Sequence, residues 1–290
     1  MSDSNMPSLG FCAQLACIWE VTASKPGNVN RYYDFENTAF VDYLISAAAI
    51  APVIDEVGQR RVGETVLEGV RATRQVVKSN TNLGILLLLA PLGAVPSGQG
   101  LKSGAAQVLE RLDVDDAKTV YEAIRLAEPG GLGQVPQEDV RNEPTAGLRE
   151  DMGLAADRDL IARQYVNNFR DVFELGVPAL TCQLDRGHNL ETAIIYSHLR
   201  FMATYPDSLI ARKCGADVAE EARRRAESVL QNGWPESHGP HAKHELAKFD
   251  KWLRSGGNRR NPGTSADLVT ASLFVLLREG TIQSPLQYPW

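Results

Sequence analysis

An uninterrupted apolar segment places the strongest constraint on what this chain can fold into. Residues 85–90 read Ile-Leu-Leu-Leu-Leu-Ala and directly follow the polar stretch Asn-Thr-Asn-Leu-Gly at 80–84. Because a helix over this segment is apolar on every face, other elements must bury it on all sides. The segment is too short to cross a bilayer, and Pro91 interrupts it. We therefore expect a buried core helix, around which the rest of the chain packs.

Helical periodicity recurs along the rest of the chain. Apolar residues return every three to four positions, for example over residues 8–23, 63–78, 157–175 and 264–278, whereas strand-like alternation is hard to find. These patterns predict an all-α fold, a compact array of roughly ten or more helices at usual helix lengths. With 290 residues the chain is long enough to bury a sizeable core. We expect residues 1–290 to form a single all-α domain.

The composition changes over residues 128–150, where glycine and proline are frequent and large apolar residues are few. Such a segment is typical of a long loop, and it is either a lid over a site or a linker between two domains. It is no dinucleotide-binding fingerprint, because no strand precedes it and the Gly-x-Gly-x-x-Gly pattern is missing. We expect one domain with a loop or lid at this place.

Charge and composition exclude several classes of partner. The net charge of −6 argues against a nucleic-acid or anionic-membrane binder, which needs a basic surface. No basic segment followed by an apolar one occurs near the start of the sequence, so we expect no signal peptide and a cytoplasmic location. The four cysteines show neither a metal-binding spacing nor a disulfide framework. The oligomeric state stays open, with a homodimer as one possibility.

Four polar loops flank strongly apolar helices, and each lies next to a glycine or a proline. They span residues 25–34, 80–84, 207–213 and 261–267. Lysine and arginine suit phosphate oxygens, whereas carboxylates suit a Mg²⁺ ion that bridges phosphates. Any one loop taken alone is more simply a solvated turn or a helix cap, so a site requires that the loops converge. Basic residues and carboxylates occur together in these loops: Lys25, Arg31, Arg212, Lys213, Asp34, Asp207 and Asp267.

Three neighbouring histidines, His238, His241 and His244, invite a metal-binding interpretation. The last two could share a helix face, but no carboxylate pattern of a known zinc site accompanies them. A solvated surface segment is the simpler interpretation. The sequence also lacks the Gly-x-Ser-x-Gly elbow of hydrolases and the lysine loop of P-loop proteins.

The same four loops carry a resemblance to a known family. Their motifs are Ser-Lys-Pro-Gly-Asn-Val at 24–29, Asn-Thr-Asn-Leu-Gly at 80–84, Pro-Asp-Ser at 206–208, Arg-Lys-Cys-Gly at 212–215 and Asn-Pro-Gly-Thr-Ser-Ala-Asp-Leu at 261–268. Together with Asp34, and in this order, they resemble the triphosphoribosyl-dephospho-CoA synthase family from about residue 12 to residue 279. The resemblance implies an all-α enzyme. It also implies transfer of the triphosphoribosyl group of ATP to the ribose 2′-hydroxyl of 3′-dephospho-CoA, with release of adenine.

The sequence departs from the citrate-lyase branch of that family. Asn82 and Leu83 stand where that branch usually has histidine and lysine, and Asn-Val-Asn at 28–30 stands where it has Leu-Val-Asp. The chain looks more like relatives in archaea and methylotrophs. The acceptor therefore stays open between dephospho-CoA and a tetrahydromethanopterin-type pterin precursor. A non-catalytic nucleotide-binding helical domain is the third interpretation.

The resemblance also implies roles for the loop residues. The carboxylates would bind Mg²⁺, and one of them would act as the catalytic base: Asp34, Asp207 and Asp267. The helix start at 81–84 would offer N–H donors to a phosphate, unless it is simply a capped helix. The other expected nucleotide contacts are Lys25, Arg212 and Lys213 on phosphates, Asn82 or Ser265 on the purine or ribose, and Asn28, Thr81 and Gly84.

Overall fold

The computed structural model describes residues 7–128, 142–236, 240–283 and 288–290. Within these ranges the chain forms fourteen α-helices and no strand beyond two isolated bridges. The predicted all-α fold is therefore confirmed. The first seven helices are α1 (Leu9–Thr22), α2 (Phe40–Asp55), α3 (Val62–Val76), α4 (Leu83–Gly93), α5 (Leu101–Glu110), α6 (Val114–Ala127) and α7 (Leu148–Ala155). The others are α8 (Leu160–Asn167), α9 (Val177–Asp185), α10 (Leu190–Thr204), α11 (Ser208–Cys214), α12 (Ala216–Gln231), α13 (Pro240–Arg254) and α14 (Gly263–Arg278).

Helix α4 is the buried core helix that its composition predicts. All of its residues are buried except Gly84, and α3, α5, α8 and α14 surround it. Helix α14 is almost as completely enclosed, with Leu268 and the nine residues that follow it all buried. The two helices pack against each other in the middle of the molecule. Their contact therefore brings together the two loops that precede them.

The proline inside α4 does not end the helix, in contrast to the sequence-based expectation. Pro91 has no N–H, so the carbonyl of Leu87 loses its helical donor. The buried hydroxyl of Tyr165 on α8 donates to that carbonyl at 2.7 Å. Because this contact satisfies the free carbonyl, α4 continues through Pro91 to Gly93.

The segment 157–175, predicted as one helix, is broken in two. Helix α8 ends at Asn167, because Asn168 and Phe169 both take left-handed backbone conformations with φ of 58°. A short π-helical turn, Val172–Gly176, then leads into α9. Periodicity did not reveal the break, because Phe169 and Val172 are both buried and keep the apolar spacing.

Two sequence predictions fall wholly or partly outside the described residues. His238 lies outside them, whereas His241 and His244 are exposed on α13, and His241 contacts the Asn232 side chain at 3.1 Å. Residues 129–141 of the expected lid also lie outside them, and α7 begins at Leu148 before the predicted end of the lid. No helix within the described ranges is long and apolar enough to cross a membrane.

The burial of α4 can be tested by removing one of its leucines. Leu88→Ala should lower the free energy of unfolding by about 2–5 kcal/mol, because Leu88 is fully buried and the change leaves a cavity. The matched control is Leu154→Ala on α7, where the leucine is 46% exposed and the expected loss is only about 0.5 kcal/mol. Urea denaturation followed by circular dichroism measures both losses. Equal losses would contradict the central position of α4.

Candidate active site

A cavity of about 1020 Å³ lies where α1, α4, α7, α11 and α14 come together. Its volume suits a nucleotide-sized ligand. Several of the residues singled out in the sequence line it, so the structure brings residues from all four polar segments to one place. These residues are Asn28, Thr81, Asn82, Gly84, Arg212, Lys213 and Asp267. The remaining predicted site residues, Lys25, Asp34, Asp207 and Ser265, do not line the cavity.

Asp267 presents a carboxylate to the cavity from the first turns of α14. It is partly exposed there, and it makes no hydrogen bond or ion pair with any part of the chain that the structure describes. Burial is the largest cause that raises the pKa of this carboxyl well above its usual range, and Glu20 and Asp207 raise it further. Arg212 opposes the rise. Asp267 is therefore the predicted catalytic carboxylate that can contact a ligand in this cavity.

The start of α4 touches Asp267 through a glycine. A Cβ atom added to Gly84 would lie 2.1 Å from Asp267 Oδ2, so only a glycine lets the helix start come this close. Side chains of α2 and α3 hold the two loop residues that precede α4 in place. Thr81 Oγ1 lies 2.6 Å from Ser46 Oγ, and the Asn82 side-chain amide donates to Thr73 Oγ1 at 2.9 Å. These contacts fix the loop that precedes α4 beside the carboxylate.

Basic side chains from two segments share the cavity with Asp267. Arg212 and Lys213 come from the end of α11, and Arg158 comes from the turn between α7 and α8. Arg212 forms an ion pair with Asp159. Burial lowers the pKa of the Lys213 ammonium, and the Arg212 charge lowers it further. Three cations in one cavity form a surface suited to an oligophosphate.

Asp207 was predicted to be catalytic, but both of its carboxylate oxygens make hydrogen bonds within the protein. Its Oδ1 accepts hydrogen bonds from the N–H groups of Leu209 (2.9 Å) and Ile210 (3.1 Å) and so caps α11. Its Oδ2 accepts from the Ser265 N–H and hydroxyl, both at 2.8 Å. Burial raises the pKa of the Asp207 carboxyl, and the bonds from Ser265 oppose the rise. Asp207 and Ser265 thus tie the start of α11 to the start of α14.

The three carboxylates predicted as Mg²⁺ ligands do not come together. Asp34 is exposed, and its Oδ1 accepts a hydrogen bond from the N–H of Phe40 at the start of α2. Asp207 uses both oxygens in the contacts above. Among the residues that the structure describes, no group of three or more histidine, cysteine, aspartate or glutamate side chains could hold a metal ion. The prediction of a joint site on Asp34, Asp207 and Asp267 therefore does not fit the structure.

Lys25 is fully buried and does not reach the cavity. Its Nζ lies 2.8 Å from Glu20 Oε1 and donates to the carbonyls of Ala23 and Glu20. Burial lowers the pKa of the Lys25 ammonium, and Glu20 opposes that effect. An ammonium with these partners is not available to phosphates, so the structure does not support Lys25 as part of a phosphate clamp.

Several cavity residues escaped the sequence-based prediction, and three of them bear on the chemistry. Glu20 lies within the apolar α1, Tyr43 lies within the apolar α2, and Arg158 lies in a charged turn without a motif. Of these three, only Glu20 could have been singled out from the sequence, because a carboxylate in the last turn of an apolar helix interacts unfavourably with the helix dipole. Nothing in the local pattern distinguishes Arg158 from a solvated surface arginine.

The fold and the cavity define a helical protein in which cations and carboxylates meet in one nucleotide-sized space. The family model for ATP:dephospho-CoA triphosphoribosyl transferase, CitG, matches residues 6–285. A comparison with curated proteins gave no match. The chain belongs to the ATP:dephospho-CoA triphosphoribosyl transferase family and is a transferase.

A solved structure is similar to this chain over most of its length. It is the crystal structure of a protein from Archaeoglobus fulgidus, provisionally assigned as a triphosphoribosyl-dephospho-CoA synthase. The two chains are 30% identical and superpose with a TM-score of 0.63, over 82% of this chain and 99% of the other.

The structural position of Asp207 can be tested against that of Asp34. Asp207→Ala should lower the free energy of unfolding by about 2–4 kcal/mol, because it removes a helix cap and leaves the buried Ser265 N–H without a partner. The control is Asp34→Ala, an exposed carboxylate at another helix start, with an expected loss of at most about 1 kcal/mol. Urea denaturation measures both, and a small loss for Asp207→Ala would contradict its structural position.

The contact between Gly84 and Asp267 leads to a separate prediction. In Gly84→Ala the new methyl group would push the Asp267 carboxylate aside, which costs little stability because only the end of a side chain moves. Transferase activity should nevertheless fall by about 10²-fold, as expected for a displaced reacting group. Gly153→Ala on α7, where the added Cβ meets nothing within 4 Å, is the control. Full activity of a folded Gly84→Ala variant would remove Asp267 from the reacting groups.

Proposed function

We propose that this enzyme transfers the triphosphoribosyl group of ATP to the ribose 2′-hydroxyl of 3′-dephospho-CoA and releases adenine. The observation that carries the proposal is the meeting of Arg158, Arg212 and Lys213 with the carboxylate of Asp267 in one cavity. The activity that gives the family its description requires this combination, because it needs a triphosphate clamp and reacting groups at a sugar carbon.

The three cations are the proposed clamp for the triphosphate. Arginine holds phosphate oxygens in a bidentate manner, and the half-buried Lys213 adds a charge that water screens only partly. The N–H groups at the start of α4 add backbone donors at the same place. Asn28 and Asn82, which line the cavity beside this helix start, are the proposed contacts for ribose or purine.

The chemistry takes place at ribose C1′. The bond to adenine breaks while the acceptor hydroxyl attacks, through a state with oxocarbenium character that nearby carboxylates stabilise. Asp267 is the proposed member of the predicted catalytic set that contacts the reacting centre. Mg²⁺ is proposed here only as an ion that arrives with ATP, since the predicted protein ligands do not form a joint site.

The first experiment measures adenine release from ATP and Mg²⁺ by chromatography, with and without 3′-dephospho-CoA. We expect adenine only when the acceptor is present. Release with a tetrahydromethanopterin-type pterin precursor, and not with dephospho-CoA, would keep the donor chemistry and change the acceptor. ATP binding without adenine release under either condition would favour the non-catalytic interpretation.

The clamp can be tested with two lysine variants. Lys213→Ala should weaken ATP binding about tenfold or more, because a charge-assisted hydrogen bond contributes about 1.5–3 kcal/mol. Lys248→Ala on α13 is the control, because its side chain is 61% exposed and pairs with Glu245, outside the cavity. Calorimetric titration with ATP measures both affinities. Unchanged affinity of a folded Lys213→Ala variant would remove Lys213 from the clamp.

A further inference from the structure

A buried ion pair closes the C-terminal end of α1. Glu20 lies in the last turn of that helix and is 4% exposed, and Lys25 in the following loop is completely buried. Lys25 Nζ lies 2.8 Å from Glu20 Oε1 and also donates to two carbonyls at the helix end. The ammonium therefore both caps the helix and faces the carboxylate.

Stability does not explain why Glu20 is a carboxylate. It lies at the negative end of the α1 dipole and is buried, and both conditions disfavour its charge. Apolar residues of similar volume would often serve a buried position as well as an ion pair does. Departures from these rules are expected at functional sites. The chemistry of the cavity is therefore the better explanation.

The ion pair leaves one carboxylate oxygen available. Oε1 is buried against Lys25, whereas Oε2 takes part in no hydrogen bond or ion pair within the described part of the chain. Glu20 lines the same cavity as Asp267, but Lys25 does not. Lys25 thus contacts Oε1 of the carboxylate, and Oε2 remains available to a ligand in the cavity. A general base oriented by a charged partner has this arrangement.

Burial and neighbouring charges both act on the basicity of the Glu20 carboxylate. Burial raises the pKa of the Glu20 carboxyl, and the ion pair with Lys25 opposes the rise. His198 on α10 stands near Lys25, and burial lowers the pKa of its imidazole well below the usual range, so it adds no second positive charge. The titratable groups that act on this pair from the packed elements are Cys17, Tyr43, Glu191, His198, Arg254 and Asp267.

We propose that Glu20 is the general base that accepts the proton of the acceptor hydroxyl, and that Lys25 is a positioning residue that orients its carboxylate. This inference rests on the proposed function. The hydroxyl oxygen bonds to ribose C1′ and gives its proton to Glu20 Oε2, while the bond between C1′ and adenine N9 breaks. The electron pair of that bond leaves with adenine, which takes a proton from solvent, and Glu20 later returns its own proton to solvent.

The first test compares two isosteric variants, Glu20→Gln and Glu191→Gln. Glu191 acts on the same lysine, but it bonds Ser24 and Arg31 and lies outside the cavity lining. Glu20→Gln should lower kcat of adenine release by about 10²–10⁴-fold, the usual contribution of a general base. Its ATP affinity should stay within about threefold of the wild type, because the lost interaction belongs to the transition state. Glu191→Gln should keep the wild-type kcat.

The pH dependence of kcat tests the positioning part. The wild-type rate should fall on the acid side as Glu20 becomes protonated, and Glu20→Gln should lose this limb. Lys25→Met removes a positive charge that favours the ionised carboxylate, so the pKa of Glu20 rises and the rate should begin to fall at higher pH. If Lys25→Met alone does not fold, the double variant Glu20→Gln/Lys25→Met removes both charges. That variant should fold and keep the low kcat of Glu20→Gln.

Three other outcomes of these experiments would overturn all or part of the inference. A folded Glu20→Gln variant with a wild-type rate and an unchanged acid limb excludes Glu20 as the base while the proposed function stands. A folded Lys25→Met variant with an unmoved acid limb limits Lys25 to capping the helix. No adenine release by the wild type with any acceptor overturns both this inference and the function on which it rests.

Discussion

The complete burial of α4 against α14 is the constraint on which the rest of the structure depends. Neither helix can face solvent, so each must pack into the middle of the helical array. This packing brings their first turns together, where Gly84 leaves room for the Asp267 carboxylate. The proline in α4 is compatible with the arrangement because Tyr165 satisfies the carbonyl that Pro91 leaves free. The site is therefore a consequence of how the core packs.

Polar groups around the core fall into two kinds, and the difference explains which of them serve function. Asp207 has both oxygens occupied by N–H and hydroxyl donors, so it holds α11 to α14 and has no capacity left for a ligand. Asp267 makes no such contact, Glu20 keeps one oxygen outside its pair with Lys25, and both residues line the cavity. A carboxylate that is shielded from water and lacks donors is costly, and a structure retains it where a ligand or a proton will use it.

Much of the candidate site could be predicted, and the failures have physical causes. The segments that contain Asn82, Arg212 and Asp267 do converge, because each lies at the beginning or the end of a helix. Lys25 was predicted to bind phosphates and Asp207 to bind Mg²⁺ or act as base, because a charged residue near a proline or glycine has the same local pattern in a cap and in a binding site. Glu20 and Arg158 were missed because neither lies in a polar motif.

The sequence by itself determined the helical fold and the identity of its central helix, because apolar periodicity and all-round hydrophobicity are local properties that water converts into burial. It also determined the family, through motifs spread along the chain. Only the tertiary structure decided which charges face the ligand and which neutralise each other. The exposure of Asp267 to the cavity depends on contacts between segments far apart in the sequence. The pairing of Lys25 with Glu20 depends on how the chain turns after α1 and on the burial of both side chains, and residue spacing alone gives neither.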